Sequence, residues 1–161
     1  MKSFLPSMFY YGFPVVLLTT IDKDGNADVT PISCNFTLGT NAVIALVKLN
    51  KAYHNVMEVP EVVFNLPSAE MWEKVEAIAP YTAQNPVPPQ KVGKYAYTDD
   101  KFAIGGFTQL PSEKVRVPRI AECPIQAEAI VKQVNDRGTY ALIELEFVQV
   151  HAEDHLVMEE N

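Results

Sequence analysis

The chain has 161 residues and a mass of 18.0 kDa, enough for one compact domain that buries roughly 70% of its unfolded surface without disulfide or metal staples. Hydrophobic residues at 48% and charged residues at 20% exclude a disordered, collagenous or coiled-coil chain. A formal charge of -7 repels nucleic acids and anionic membrane surfaces, so neither is expected as a partner.

Residues 15–21 form an apolar, β-branched run, and Asp22, Lys23, Asp24 and Gly25 after it carry turn chemistry, which predicts a hairpin. The second strand is expected over residues 27–36. It contains Pro31, which donates no ladder hydrogen bond and belongs at a sheet edge or bulge, leaving backbone free for a ligand. Residues 43–49 predict a third strand, completing a three-stranded meander. Residues 51–58 predict a short helix ended by Pro60, and residues 62–66 a short buried strand. Ser68 is placed to cap a helix over residues 69–78, where Met71, Trp72, Val75 and Ile78 recur at helical spacing as a core-facing stripe.

Pro80, Pro86, Pro88 and Pro89 stiffen an irregular excursion over residues 81–92, longer than most connections and of a kind used as lids or dimer contacts. Asp99 or Asp100 caps a helical turn through Phe102 and Ile104, which Gly105 and Gly106 end. Ile125, Ala127, Ala129 and Val131 share one face of a strand. Asp136, Arg137 and Gly138 turn the chain, and Ala141, Ile143, Leu145 and Phe147 share one face of the return strand. At Val148 and Val150 the apolar parity switches, as a bulge would make it. The expected fold is therefore mainly β with some helix, a closed or nearly closed antiparallel barrel formed by one domain over residues 1–161.

No apolar stretch approaches the roughly 18 residues of a membrane span, and Pro6 and Pro14 interrupt any secretory leader, so a cytoplasmic protein is expected. Cys34 and Cys123 lie far apart without CxxC spacing and read as small buried hydrophobes. His151 and His155 flank Ala152, Glu153 and Asp154, yet four residues along a strand span about 13 Å, too far to share an ion. A solvated acidic rim is expected there, and no metal. Glu144 and Glu146 sit opposite the apolar face and read as solvated. No GxGxxG, GxxxxGK or GxSxG pattern is present. What remains is a polar cluster, Thr30, Pro31, Ile32, Ser33, Cys34 and Asn35, followed by Lys48, Asn50, Lys51 and Asn55. Its hydroxyls, amides and free backbone suit the donor and acceptor edge of a flat heterocycle, with Lys48 and Lys51 placed to neutralise a phosphate.

Taken in order, "PVVLLTTIDKDGNADVTPIS", "EVVFNLPSAEMWEKVE", "DDKFAIGGFT" and "VRVPRIAECPIQAEAIV" resemble the flavin reductase-like family, the FMN-binding split barrels that include flavoredoxins. The resemblance implies a split antiparallel β-barrel of the FMN-binding type, assembled as a homodimer with flavin near the interface. It implies that Thr30, Pro31, Ile32, Ser33, Cys34 and Asn35 meet the isoalloxazine and that Asn50, Lys51 and Asn55 hold the ribityl phosphate. It also implies that Lys101, before Phe102, lies close to the flavin, although its residue type and position alone read equally as a solvated helix residue. Three positions depart from the family pattern: Ala52 where relatives carry Ser or Thr, Tyr140 where a His is common, and Leu145 where a Gly follows. The expected activity is hydride transfer from NADH or NADPH to noncovalent FMN, FAD being possible, with electrons passing to an acceptor that includes another redox protein. The alternative is a non-enzymatic flavin carrier, or a dimeric module that has lost the cofactor. No catalytic side chain is singled out.

Overall fold

The computed structural model describes residues 1–6, 9 and 11–158. Nine strands are present among them: β1 Val16–Ile21, β2 Ala27–Ile32, β3 Asn35–Leu38, β4 Asn41–Val47, β5 Glu61–Leu66, β6 Gln109–Leu110, β7 Arg119–Ile120, β8 Ile125–Asp136 and β9 Tyr140–Ala152. Helices α1 Lys51–Glu58, α2 Trp72–Ile78 and α3 Lys101–Gly105 accompany them, with 3-10 turns at Ala69–Met71, before α2, and at Asp154–Leu156. Seven strands form one antiparallel sheet in the order β2-β1-β5-β8-β9-β4-β3, and β6 pairs with β7 apart from it. The barrel is split rather than closed, because the two edge strands do not pair with each other.

Those two edges, β2 and β3, are neighbours in the chain, separated only by Ser33 and Cys34. The sheet must therefore curl until its edges nearly meet. The Ala45 amide of β4 donates to the Cys34 carbonyl at 3.0 Å, extending the β3–β4 ladder by one rung into that step. This corrects the expectation of one strand over residues 27–36 within a meander. Pro31 sits opposite Leu17 on the edge strand, where its missing donor is tolerated, and the chain then crosses the seam to pair with β4.

All six residues of β1 are buried. Leu18 joins Val16, Ile44, Phe64, Ile143 and Leu145 inside the barrel, whereas Leu17 joins Val29, Ile78, Phe102 and Phe107 under α2 and α3. Burial on both faces is why this strand reads as a continuous apolar run. The β1–β2 turn is held by Asp22, whose Oδ1 accepts from the Asp24 and Asn26 amides at 2.9 Å, while Gly25 takes φ 86°, a conformation costly for residues with a Cβ.

The expected bulge is present: Glu128 faces Gln149 and Ala129 faces Phe147, so Val148 is the unpaired extra residue on β9. Phe147 packs on the barrel core and Val148 on the cluster containing Val63 and Val117. Trp72 departs from the expected stripe. Met71 and Ile78 are buried and Val75 partly so, but Trp72 is 62% exposed. The 3-10 turn over Ala69–Met71 advances the chain by a third of a turn per residue rather than 1/3.6, which rotates Trp72 off the buried face. No helix among the described residues is long and apolar enough to cross a membrane.

Candidate functional site

Asp28 and Thr30 are two residues apart on β2 and so share a face. Lys101, from the first turn of α3, reaches them from the side. Its Nζ donates to Asp28 Oδ2 at 2.9 Å and to Thr30 Oγ1 at 3.3 Å, and Thr30 Oγ1 donates to the same carboxylate oxygen at 3.3 Å. Lys51, the first residue of α1, brings its ammonium to 3.5 Å from Asp28 Oδ1, and that oxygen has no hydrogen-bond partner among the described residues. Lys101 is only 1% exposed, the opposite of a solvated helix residue. Burial pushes its ammonium below the ordinary lysine pKa, and the charge of Asp28 only partly restores it. A buried pair of this kind gains little net stability after desolvation. Its structural effect is to fix the Thr30 hydroxyl and to hold positive charge beneath the strand edge.

The N-cap of α1 is Asn50, which makes no side-chain capping bond. Its amide oxygen accepts instead from Lys91 Nζ. Lys91 belongs to the proline-rich excursion, which is not a detached arm: Asn50 and Ala83 form a β-bridge, the Lys51 amide meets the Thr82 carbonyl at 3.4 Å, and Lys91 also donates to Thr82 O and Oγ1 at 2.9 and 3.1 Å. The Lys51 ammonium lies 5.2 Å from the Tyr97 ring centroid. A cavity of about 330 Å³ opens beside it, lined by Asp22, Asn26, Ala27, Lys51, Tyr97, Asp99 and Gln109.

The crossing between β2 and β3 lies between two further hollows. Cys34 lines one of about 270 Å³ with Ala45, Val47, Thr139 and Tyr140. Asn35 Nδ2 donates to the Pro14 carbonyl at 3.3 Å, and Pro14 lines an apolar groove of about 740 Å³ that includes Leu66, Pro67 and Trp72. Ser33 is half-buried and Cys34 exposed. An exposed Cys34 corrects the expectation of a buried hydrophobe, which holds for Cys123 alone. The crossing is irregular backbone, without the facing strand that would cover a side chain.

The structure thus joins Thr30, Lys101, Lys51 and Asn50 through Asp28 and Lys91, with Pro31, Ser33, Cys34 and Asn35 continuing along the seam. Three expected side chains are committed elsewhere. Ile32 packs into the barrel core, leaving only its backbone for a ligand. Asn55 is buried and donates to Thr20 Oγ1 at 3.0 Å. Lys48 pairs with Asp136 at the β8–β9 turn, away from α1. Ala52 is packed in the barrel core with Val16 and Leu18, where a hydroxyl would lack a solvent partner, and Leu145 belongs to the same cluster. Tyr140 is the one departure from the pattern that faces a cavity beside the seam.

Two participants carried weak sequence signals. Asp28 is a lone acid in an apolar strand, and its spacing to Thr30 was available. Lys91 looked like one basic residue in a loop. A second buried carboxylate lies away from this site: Glu128 accepts from the Glu113, Lys114 and Val115 amides at 2.8, 2.6 and 3.1 Å, and His151 Nε2 lies 2.7 Å from its Oε1. His151 is therefore part of an interior network rather than a solvated rim, while His155 and Glu153 are exposed and 3.3 Å apart.

A family model described as flavin reductase like domain matches residues 8–160. The chain is 35% identical over 165 residues to YdfE of Bacillus subtilis (strain 168), a protein of uncharacterized function, covering 99% of this chain and 79% of that one. Flavoredoxin of Desulfovibrio vulgaris (Miyazaki F) has the same fold, with a TM-score of 0.81 at 19% identity over 100% of this chain and 81% of that one. The NADH:FAD oxidoreductase SgcE6 of Streptomyces globisporus C-1027 gives a TM-score of 0.68 at 12% identity, covering 88% and 76%. The arrangement around the seam and the match over nearly the whole chain agree: this protein belongs to the flavin reductase-like family.

Proposed function

We propose that the protein holds FMN noncovalently and takes hydride onto it from NADH or NADPH. The observation that carries this reading is the convergence of Thr30, Lys51, Asn50 and Lys101, from β2, α1 and α3, into one network beneath the open seam. Family membership supports a flavin-associated oxidoreductase, and a structural neighbour named as an NADH:FAD oxidoreductase supports both the donor and FAD as the alternative flavin. When bound, the flavin supplies the hydride-accepting chemistry, and the chain supplies binding, orientation and electrostatics.

Ser33 offers a hydroxyl, and the edge of β2 with residues 33–35 offers backbone donors and acceptors, for a heterocycle's polar rim, while the buried Thr30 hydroxyl is held by Asp28 and Lys101 behind it. Lys101 is a positioning residue that fixes Thr30 and maintains positive potential under it. Asn50 and Lys51, at the start of α1, favour a phosphate through charge and helix orientation. Phe36, Leu38, Val47 and Tyr140 are exposed on the β3–β4–β9 side, which supports a homodimer burying that side. Transfer onward to a partner redox protein, and a cytoplasmic setting, belong to the same reading. A flavin carrier without turnover is the second reading, favoured by the absence of a hydroxyl at the core-packed Ala52.

The visible spectrum of the purified protein, before and after adding FMN and desalting, tests this. Retained flavin bands that bleach with NADH or NADPH support the reductase, and retained bands without bleaching support the carrier. A protein that keeps no FMN and does not oxidise NAD(P)H in its presence refutes both. Thr30→Ala with Ser33→Ala is expected to weaken FMN binding without unfolding the protein, the melt falling only by the loss of the buried Thr30 bonds to Asp28 and Lys101.

A further inference from the structure

The groove of about 740 Å³ beside α2 is walled mostly by apolar groups, Pro14, Val15, Leu66, Pro67, Trp72 and Val75. Its volume is that of a pocket for a drug-sized molecule, about 300–1,000 Å³, so it admits more than one aromatic side chain. The segment leading into Pro14 is itself aromatic. The Phe9 and Tyr11 rings lie 6.0 Å apart and those of Tyr11 and Phe13 4.5 Å apart, and none of the three belongs to a core cluster. Phe4, Leu5, Phe9, Tyr11 and Trp72 are between 62% and 97% exposed. With about 150–250 Å² per aromatic side chain, the four aromatic members leave about 400–700 Å² of apolar surface on one copy. A typical monomer shows no apolar patch beyond about 300–600 Å².

Resting on the homodimer proposed above, we propose that Phe4, Phe9 and Tyr11 of each copy seat in the groove beside Trp72 of the other. One chain carries both the aromatic segment and the groove, so a two-fold pair satisfies both at once. The aromatic side chains of two copies supply about 800–1,400 Å², and Leu5 with the groove walls brings the total into the range of a stable specific interface, about 1,200–2,000 Å². Charge agrees with this occupant. Lys2 is the only charged side chain among residues 1–13, and Glu76 the only one lining the groove, so the segment meets a rim of opposite sign. The groove also shares a wall with the seam, because the Pro14 carbonyl accepts from Asn35 Nδ2. The exchanged segment therefore bounds the seam at its Pro14 end, and the second copy completes the site.

Trp72 is the chain's single tryptophan, so its emission reports directly on the groove. The test measures that emission and the sedimentation of the full-length protein over a dilution series, for the wild type and for Phe9→Ser with Tyr11→Ser, with circular-dichroism spectra of each. The wild type is expected to sediment as a dimer with blue-shifted emission. In the variant the spectrum should stay folded, the emission should move to the red, and the dimer should weaken by at least about 30-fold, the loss of one aromatic hot spot. Red emission from a stable wild-type dimer overturns the exchange and leaves the homodimer standing. So does a variant whose emission moves to the red while its dimer is unweakened, since the segment then covers its own groove. A wild type that is monomeric throughout overturns the homodimer and the exchange together, while retention of FMN judges the flavin reading separately.

Discussion

Replacing Glu128 by Gln keeps shape and volume while removing one acceptor and the charge. The carboxylate is fully buried, and its two oxygens receive three backbone amides and face His151. In the better of its two orientations, the Gln oxygen serves the Lys114 and Val115 amides and the new NH2 confronts the Glu113 amide. One charge-assisted bond, worth about 1.5–3 kcal/mol, is lost, and two others weaken to neutral strength at about 1 kcal/mol each. Relief of the buried charge returns part of this, leaving a net loss of about 2–4 kcal/mol. For a chain of this size that lowers Tm by about 5–15 °C.

The same carboxylate sets a pH signature. Burial raises its pKa, but the hydrogen bonds from Glu113, His151, Lys114 and Val115 outweigh burial and hold it below the usual 4.5. A depressed folded pKa contributes stability that is present above the unfolded value and lost as pH falls through the folded one. The Tm gap between wild type and Glu128→Gln should therefore be widest near neutrality and shrink below about pH 4.5. Circular-dichroism melts from pH 3 to 7 measure it. A gap under about 0.5 kcal/mol at pH 7, or one that persists unchanged into acid, refutes the account of Glu128 as the clamp on residues 113–115.

Gly105→Ala places a Cβ 2.2 Å from Phe107 Cε2, so the ring that closes the α3 end of the core must move, and a loss of about 1–3 kcal/mol is expected in urea unfolding. An unchanged midpoint would show that Phe107 has room the packing denies. Asp28→Asn strands the buried Lys101 ammonium and should cost about 3–5 kcal/mol. Adding Lys101→Met should recover part of that loss, and a double variant no more stable than the single one contradicts the pairing. Native protein should show one thiol reactive to a chromogenic disulfide at pH 8, Cys34. Cys123 is buried, and burial followed by the charge of Glu122 pushes its thiol to about 12, so it should react only after unfolding; two reactive native thiols would refute its burial.

Legibility in the sequence followed the range of the forces. α1 spans the predicted residues 51–58 because the Pro60 stop is a local signal. The Val148 bulge could be read because one extra residue inverts the parity of everything beyond it. The break at Ser33 and Cys34 could not, since neither residue carries a strong turn signal and only the far edge of the sheet makes the chain change partners. Trp72 was misplaced by assuming one continuous α-helical period through a 3-10 turn. Lys101 was named from a family pattern, but its burial depends on Asp28, 73 residues earlier. Lys91 and Glu128 escaped notice for the same reason: a charged side chain looks solvated until its partners arrive from distant strands and loops.

The tie between the two edge strands has a consequence for association. An open sheet offers two rows of unpaired backbone groups to any passing strand, yet here both rows begin at one short backbone step. β3 is four residues long and β2 carries Pro31, so neither edge presents a long, regular template. A strand adding to either beside the crossing would have to enter a gap limited there by the three Cα steps from Ile32 to Asn35, about 10 Å of chain. The fold thus keeps an opening wide enough for small molecules while resisting the strand-by-strand growth through which exposed sheets aggregate.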